Sequence, residues 1–258
     1  METSSAAIRD QFGHKRDQFG HSIVFVADGP RHLDLFHQDL TALSSGHALA
    51  VARYPALEVL PGHGAPNADL AGDRLNTLRR CLEAQPPAII ATCVQALQQP
   101  SVSPRALSRL SLHLAQGESH ELEELSTRLD EMRYEFTAEV EDKGQASRRG
   151  GLLDIWPASE DWPVRIEFFG DVVDSIRSFD PVAQRSIEQR TRVWIPLTGE
   201  QGGGASPKPS KGSLLDFLPA KTCWVWSDPE SIRHHAESYR QSIDDPADRR
   251  PEIGRAHV

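Results

Sequence analysis

No apolar run in this sequence approaches the ~20 residues that a helix needs to cross a bilayer, so no membrane segment is expected. The amino terminus lacks the charged-then-apolar pattern of a signal peptide. Cysteine is scarce. Cys81, Cys93 and Cys223 leave an odd thiol and show no metal-ligand spacing, which argues against a disulfide framework and for a reducing, cytoplasmic setting. Positive charge is not in excess either: 28 Lys and Arg against 37 Asp and Glu give a formal net charge of −9, so a global basic footprint for duplex DNA is missing. The chain has no G-x-x-x-x-G-K-[ST], and Gly202-Gly203-Gly204 lacks both the preceding strand and the lysine of a phosphate-binding loop. None of the 11 histidines falls in H-E-x-x-H, and the adjacent pair His234-His235 diverges in direction on a helix. No nucleophile–base spacing stands out. These residues therefore imply no catalytic group, no metal site and no cofactor site in this stretch, and no enzyme activity of its own.

What is present reads as a soluble α/β chain of 258 residues. Residues 1–21 carry "RDQFGH" twice, at Arg9–His14 and Arg16–His21, and are expected to form a flexible leader. Ser22–Ala27 (SIVFVA) reads as a buried strand ending at Asp28-Gly29-Pro30. Arg31–Leu43 spaces Leu33, Phe36, Leu40 and Leu43 at helical intervals, and Asp69–Ala84 does the same with Leu70, Leu75, Leu78 and Leu82. The runs at 47–53 and 88–94 read as further strands, so the first segment, residues 22–117, predicts a parallel α/β sheet. Within it, Ser108–Leu114 reads as a half-buried strand. The pattern then changes. Glu118–Met132 reads as an acid-rich helix, and from Phe136 to Ile195 only strands separated by Gly and Pro turns follow. Residues 118–190 are thus an α+β, antiparallel insert. After the Gly/Ser/Pro-rich loop at 199–212, Ser213–Leu218, Thr222–Ser227 and Pro229–Gln241 return to α/β material. Residues 191–251 are read as the first domain resumed but truncated. Glu252–Val258 (EIGRAHV) matches an in-frame translation of a common sequencing adapter and is set aside as a tail, which would make the chain the front of a longer protein.

Inside the insert, Val164–Phe169 (VRIEFF) raises a question of faces. In a strand, residues two apart share a side, so Val164, Ile166 and Phe168 form a core face and Arg165, Glu167 and Phe169 the other. Arginines and aromatics are the residue types that anchor protein interfaces. The alternative is that Phe169 packs under a neighbouring loop and Arg165 bridges to Glu167 or a nearby acid.

The stretch "GQASRRGGLLDIWPASEDWPVRIEFFGDVVDSIRSFDPVAQRSIE", with "YPALEVLPGHGAPNADLAGDRLNTLRRCL" upstream, resembles the UvrB-like amino-terminal region of the bacterial transcription-repair coupling factors (Mfd), including the UvrA-interaction domain they share with UvrB. The resemblance spans roughly Tyr54 to Leu218. It implies a degenerate UvrB-like parallel-sheet domain interrupted by a UvrA-interaction insert. It implies UvrA as partner, with contacts at Arg149, Arg165 and Phe169, the arginines meeting acidic groups of UvrA. It implies a role in recruiting UvrA to stalled transcription for nucleotide excision repair, with RNA polymerase, DNA, ATP and magnesium engaged by downstream parts of the parent. The alternative is a UvrB-like ATP-dependent repair protein without its P-loop segment. Where the family has Gly-Tyr, this chain has Arg133-Tyr134.

Overall fold

The computed structural model describes residues 22–44, 50–60, 66–82, 89–198 and 211–243. The readings for the leader, the 199–210 part of the loop and the tail lie outside the described residues. The chain divides into two compact units, one drawn from 1–64, 76–101 and 211–258, the other from 65–75 and 102–210.

The first unit holds a four-stranded sheet in the order β14-β1-β3-β2. These strands are β1 (Ile23–Ala27), β2 (Val51–Tyr54), β3 (Ile89–Cys93) and β14 (Cys223–Trp226), and every pairing is parallel. Helices α1 (Pro30–Ser44) and α2 (Ala68–Cys81) make the crossovers β1→β2 and β2→β3. Val24, Val26, Ile90 and Cys93 are fully buried, which is the mark of a sheet covered on both faces. The expected α/β architecture is present. Helix α2 is capped by Asn67, whose Oδ1 accepts from the amides of Asp69 and Leu70 at 2.8 and 3.2 Å. Helix α3 (Val94–Gln98) leads to the short strand β4 (Ser101–Val102), which pairs with β13 (Lys211–Gly212), and near the chain's end α6 (Pro229–Gln241) starts at Asp228, whose carboxylate caps Glu230 and Ser231.

The second unit is built around a six-stranded sheet in the order β11-β10-β9-β8-β7-β6. Its members are β6 (Glu135–Phe136), β7 (Gln145–Arg149), β8 (Leu152–Ile155), β9 (Val164–Phe169), β10 (Val172–Phe179) and β11 (Ser186–Arg190). All neighbours run antiparallel except β6 with β7. Helix α5 (Leu122–Glu131) and the core-facing Leu153, Ile155, Val164, Ile166, Val173 and Ile176 supply its apolar interior, with Leu125 and Leu129 buried on the helix. A separate two-stranded ladder joins β5 (Ser111–Ala115) to β12 (Arg192–Pro196). The buried Tyr134 hydroxyl donates to the Pro196 carbonyl at 2.8 Å, and burial pushes its phenol well above the ordinary range. The unit thus begins and ends outside the 118–190 insert, because β5 and β12 need each other.

Two elements differ from the sequence reading. The strand expected over 108–114 is preceded by helix α4 (Pro104–Arg109), because Ser103 caps it, accepting from the Ala106 amide at 3.2 Å, and Pro104 sits at its first position. The helix expected from Glu118 starts only at Leu122. Residues 117–120 instead run beside β10: Gly117 and His120 donate to the carbonyls of Val173 and Asp171, and Val173 donates back to Glu118.

Helix α5 ends in a Schellman arrangement. The Tyr134 amide donates to the Leu129 carbonyl, the Arg133 amide donates to that of Asp130, and Tyr134 and Leu129 are both buried. The left-handed residue of this cap is Arg133, with φ 71°. A non-glycine residue there is strained by roughly 1–2 kcal/mol, part of which glycine gives back through its freer unfolded chain. Arg133→Gly is expected to stabilise the unit by about 0.5–1 kcal/mol in denaturant unfolding. A lower midpoint for the glycine variant would contradict this account.

Candidate partner-binding face

The register of the six-stranded sheet decides which side chains share its second face. Glu167 stands opposite Leu152 and Ser175, Arg165 opposite Asp154 and Arg177, and Phe169 opposite Val172. One strand further over, Asp154 faces Ser147 and Leu152 faces Arg149. Paired residues lie on one side of a pleated sheet, so Arg149, Arg165 and Phe169 all come to this face. Arg148, one residue away, points to the opposite side and bonds Glu123 and Ser126 on helix α5. The β7–β8 connection is the two-residue turn Gly150-Gly151, in which Gly150 has φ 61°. The space beside Gly150 is open, whereas a Cβ on Gly151 would lie 2.8 Å from the Phe168 carbonyl oxygen.

Each residue has a different setting. Phe169 is 83% exposed, so it does not pack under a loop among the described residues. Arg165 is only 13% exposed and does bridge to an acid, but the acid is Asp154 rather than Glu167. Its Nε and Nη2 donate to the two Asp154 oxygens, each at 2.7 Å, and Nη2 also donates to Gln184 Oε1 at 2.9 Å. The Asp154 hydrogen bonds raise the arginine's pKa further. The guanidinium carbon lies 4.4 Å above the Phe179 ring. This edge of Arg165 is thus already engaged by a carboxylate of the chain itself. Arg149 is looser: 48% exposed, it donates to Glu139 at 3.3 Å and to Asp154 at 3.4 Å.

On the same face lies a further ion pair. Arg177 Nη2 and Ser175 Oγ donate to Glu167 at 2.8 and 2.6 Å, and these bonds, Arg177's first, hold the Glu167 carboxyl down at about 2. A depressed carboxylate contributes stability that is complete above its unfolded pKa and lost as pH falls toward the folded one. Glu167→Gln is therefore expected to lower the unfolding midpoint near neutral pH. The gap to the parent chain should close as pH drops from about 4.5 toward about 2. A gap that stays constant across that window would contradict the assignment.

Asp154, Glu139, Gln184 and Phe179 were not singled out from the sequence. Alternation alone puts Leu153 and Ile155 in the core and Asp154 on the other face, but its pairing with Arg165 needs the strand register.

Residues 112–198 match the family model described as the UvrB interaction domain. The chain carries a UvrB interaction domain. All three face residues fall inside it. The chain is 36% identical over 177 residues to the transcription-repair-coupling factor of Myxococcus xanthus, covering 66% of this chain and 15% of the relative. It is 35% identical over 160 residues to that of Bacillus subtilis (strain 168), covering 61% and 13%. Against the UvrABC system protein B of Legionella pneumophila (strain Paris) it is 36% identical over 123 residues, covering 47% and 18%. The chain thus spans less than a fifth of the length of each of these relatives. The resemblance to transcription-repair coupling factors and to UvrB holds. Among the described residues no helix is long and apolar enough to cross a membrane.

Proposed function

We propose that this chain is a UvrA-binding module of a transcription-repair coupling protein and that it recruits UvrA to stalled transcription for nucleotide excision repair. The observation that carries the reading is Phe169. It is a large aromatic, 83% exposed, on the same face of a UvrB interaction domain as Arg149 and Arg165. An exposed aromatic flanked by arginines is the composition of an interface anchor. The longer matches to the coupling factors favour that parent over a UvrB-like ATP-dependent protein, and only Asp28-Gly29 stands between β1 and α1, where a UvrB-like nucleotide site would need its phosphate loop. On this reading the stretch binds without catalysing and holds no cofactor. ATP, magnesium, DNA and RNA polymerase belong to other parts of the parent, which works in the cytoplasm.

The test is a calorimetric titration of the chain with UvrA from the same source, without nucleotide or polymerase. Binding at roughly micromolar strength or tighter, about −8 kcal/mol, is expected. No measurable binding by a chain shown to be folded would end the reading.

A further inference from the structure

The open face has one buried acid, and both of the arginines in question converge on it. The Asp154 side chain is 4% exposed. Its Oδ1 takes Arg165 Nε at 2.7 Å, and its Oδ2 takes Arg165 Nη2 at 2.7 Å and Arg149 Nη2 at 3.4 Å. The register sets this up: Asp154 lies directly opposite Arg165 on β9, with Arg149 on the strand to its other side, β7.

Two consequences follow for a partner approaching the face. Asp154 is 4% exposed against 13% for Arg165 and 48% for Arg149, so a partner meets these guanidinium groups before it meets the carboxylate that holds them. The arginines are also held before the partner arrives. Arg165 is fixed along one edge by Asp154, at its tip by Gln184 and below by Phe179. Its Nη1 makes no hydrogen bond among the described residues and is the donor left for a partner. Arg149 is tethered by one long bond to Asp154 and one to Glu139, an exposed acid that a partner's carboxylate can displace. Pre-ordering such side chains removes part of the entropic cost of binding.

We propose that Asp154 is a positioning residue for the UvrA contact, orienting Arg165 and tethering Arg149 so that both present donors to an acidic surface of the partner. The proposal rests on the reading of this face as the UvrA-binding one. Its first test needs no variant. In the free chain the Arg165 Nε–H should give a resolved nitrogen–proton NMR signal protected from exchange with water, unlike that of the exposed Arg233. Equal exchange at the two arginines would overturn it. The second test is a double-mutant cycle measured as UvrA affinity. Asp154→Asn, which keeps the side chain's size, should weaken binding by about tenfold or more and abolish the protected signal. In an Arg149→Ala, Arg165→Ala background it should change affinity by less than about twofold, because the groups it positions are gone. An undiminished effect in that background would show a general structural role and overturn the proposal. The two readings fail separately. Wild-type binding with Asp154→Asn unaffected would sink the positioning role alone, whereas absent wild-type binding would sink the UvrA reading and this proposal with it.

Discussion

Phe169→Ala is expected to weaken the complex with UvrA by roughly 2–4 kcal/mol, about 30- to 1,000-fold in affinity. The estimate follows from the ring's exposure. A phenylalanine that is 83% exposed in the free chain brings nearly its whole apolar surface to the interface. Covering on the order of 150 Å² at about 25 cal/mol per Å² amounts to roughly 4 kcal/mol at most. The loss should be the same at low and high salt, because apolar burial is not screened. Arg149→Ala and Arg165→Ala should also weaken binding, but the part of their loss that comes from exposed charge should shrink as salt rises. Because Phe169 is so exposed, its removal should leave the unfolding midpoint within about 0.5 kcal/mol of the parent. A variant that binds within twofold of the parent would move the anchor elsewhere.

The largest stability effect is expected at Gly72. The first half of helix α2, residues 68–75, belongs to the second unit and passes so close to the 157–159 turn that a Cβ on Gly72 would lie 1.9 Å from the Ala158 carbonyl oxygen. That carbonyl is not free to swing away. Lys143 Nζ donates to it at 3.3 Å and is itself paired with Asp69 at 2.7 Å, one turn earlier on the same helix. Alanine is worth about 1 kcal/mol more than glycine in a helix interior. Forcing the helix off its seat costs more, at the upper end of the 1–3 kcal/mol typical of overpacking or beyond it. Gly72→Ala should therefore destabilise the second unit by about 2–3 kcal/mol net, with thermal unfolding several degrees lower. Were the alanine variant as stable as the parent, the close seating of helix and turn would be wrong.

Much of this fold is legible in the sequence because it rests on local patterns. The β-branched runs at 23–27 and 89–93 read as covered parallel strands, and the alternation over 164–169 sorts that strand's residues onto their two faces. The Pro229–Gln241 helix announces itself by an aspartate cap followed by proline. What escaped depends on partners far along the chain. Glu118–Glu121 carries helical composition, yet its first residues pair with Val173 and Asp171, which no local window contains. Asp154 looks like any polar residue of a half-buried strand until the register sets it against Arg165. The arginines themselves were legible as candidates, but whether their donors are spent inside the chain is a question of strand pairing.

The neighbouring arginines at 148 and 149 give the Gly150-Gly151 turn a meaning beyond its tight geometry. Arg148 serves the helix side of the sheet and Arg149 the open side, and only the pleat separates the two errands. The pleat has a period of two, so its phase is set by counting residues. Inserting or deleting one residue at this turn would trade the arginines' sides or break the pairing of Arg149 with Leu152. Length here is thus a kind of reading frame. Drift in the turn's composition is confined to Gly150, where the left-handed backbone must allow it, because a Cβ on Gly151 would lie 2.8 Å from the Phe168 carbonyl oxygen; drift in its length would scramble the surface shown to a partner while leaving the same residues in the same order.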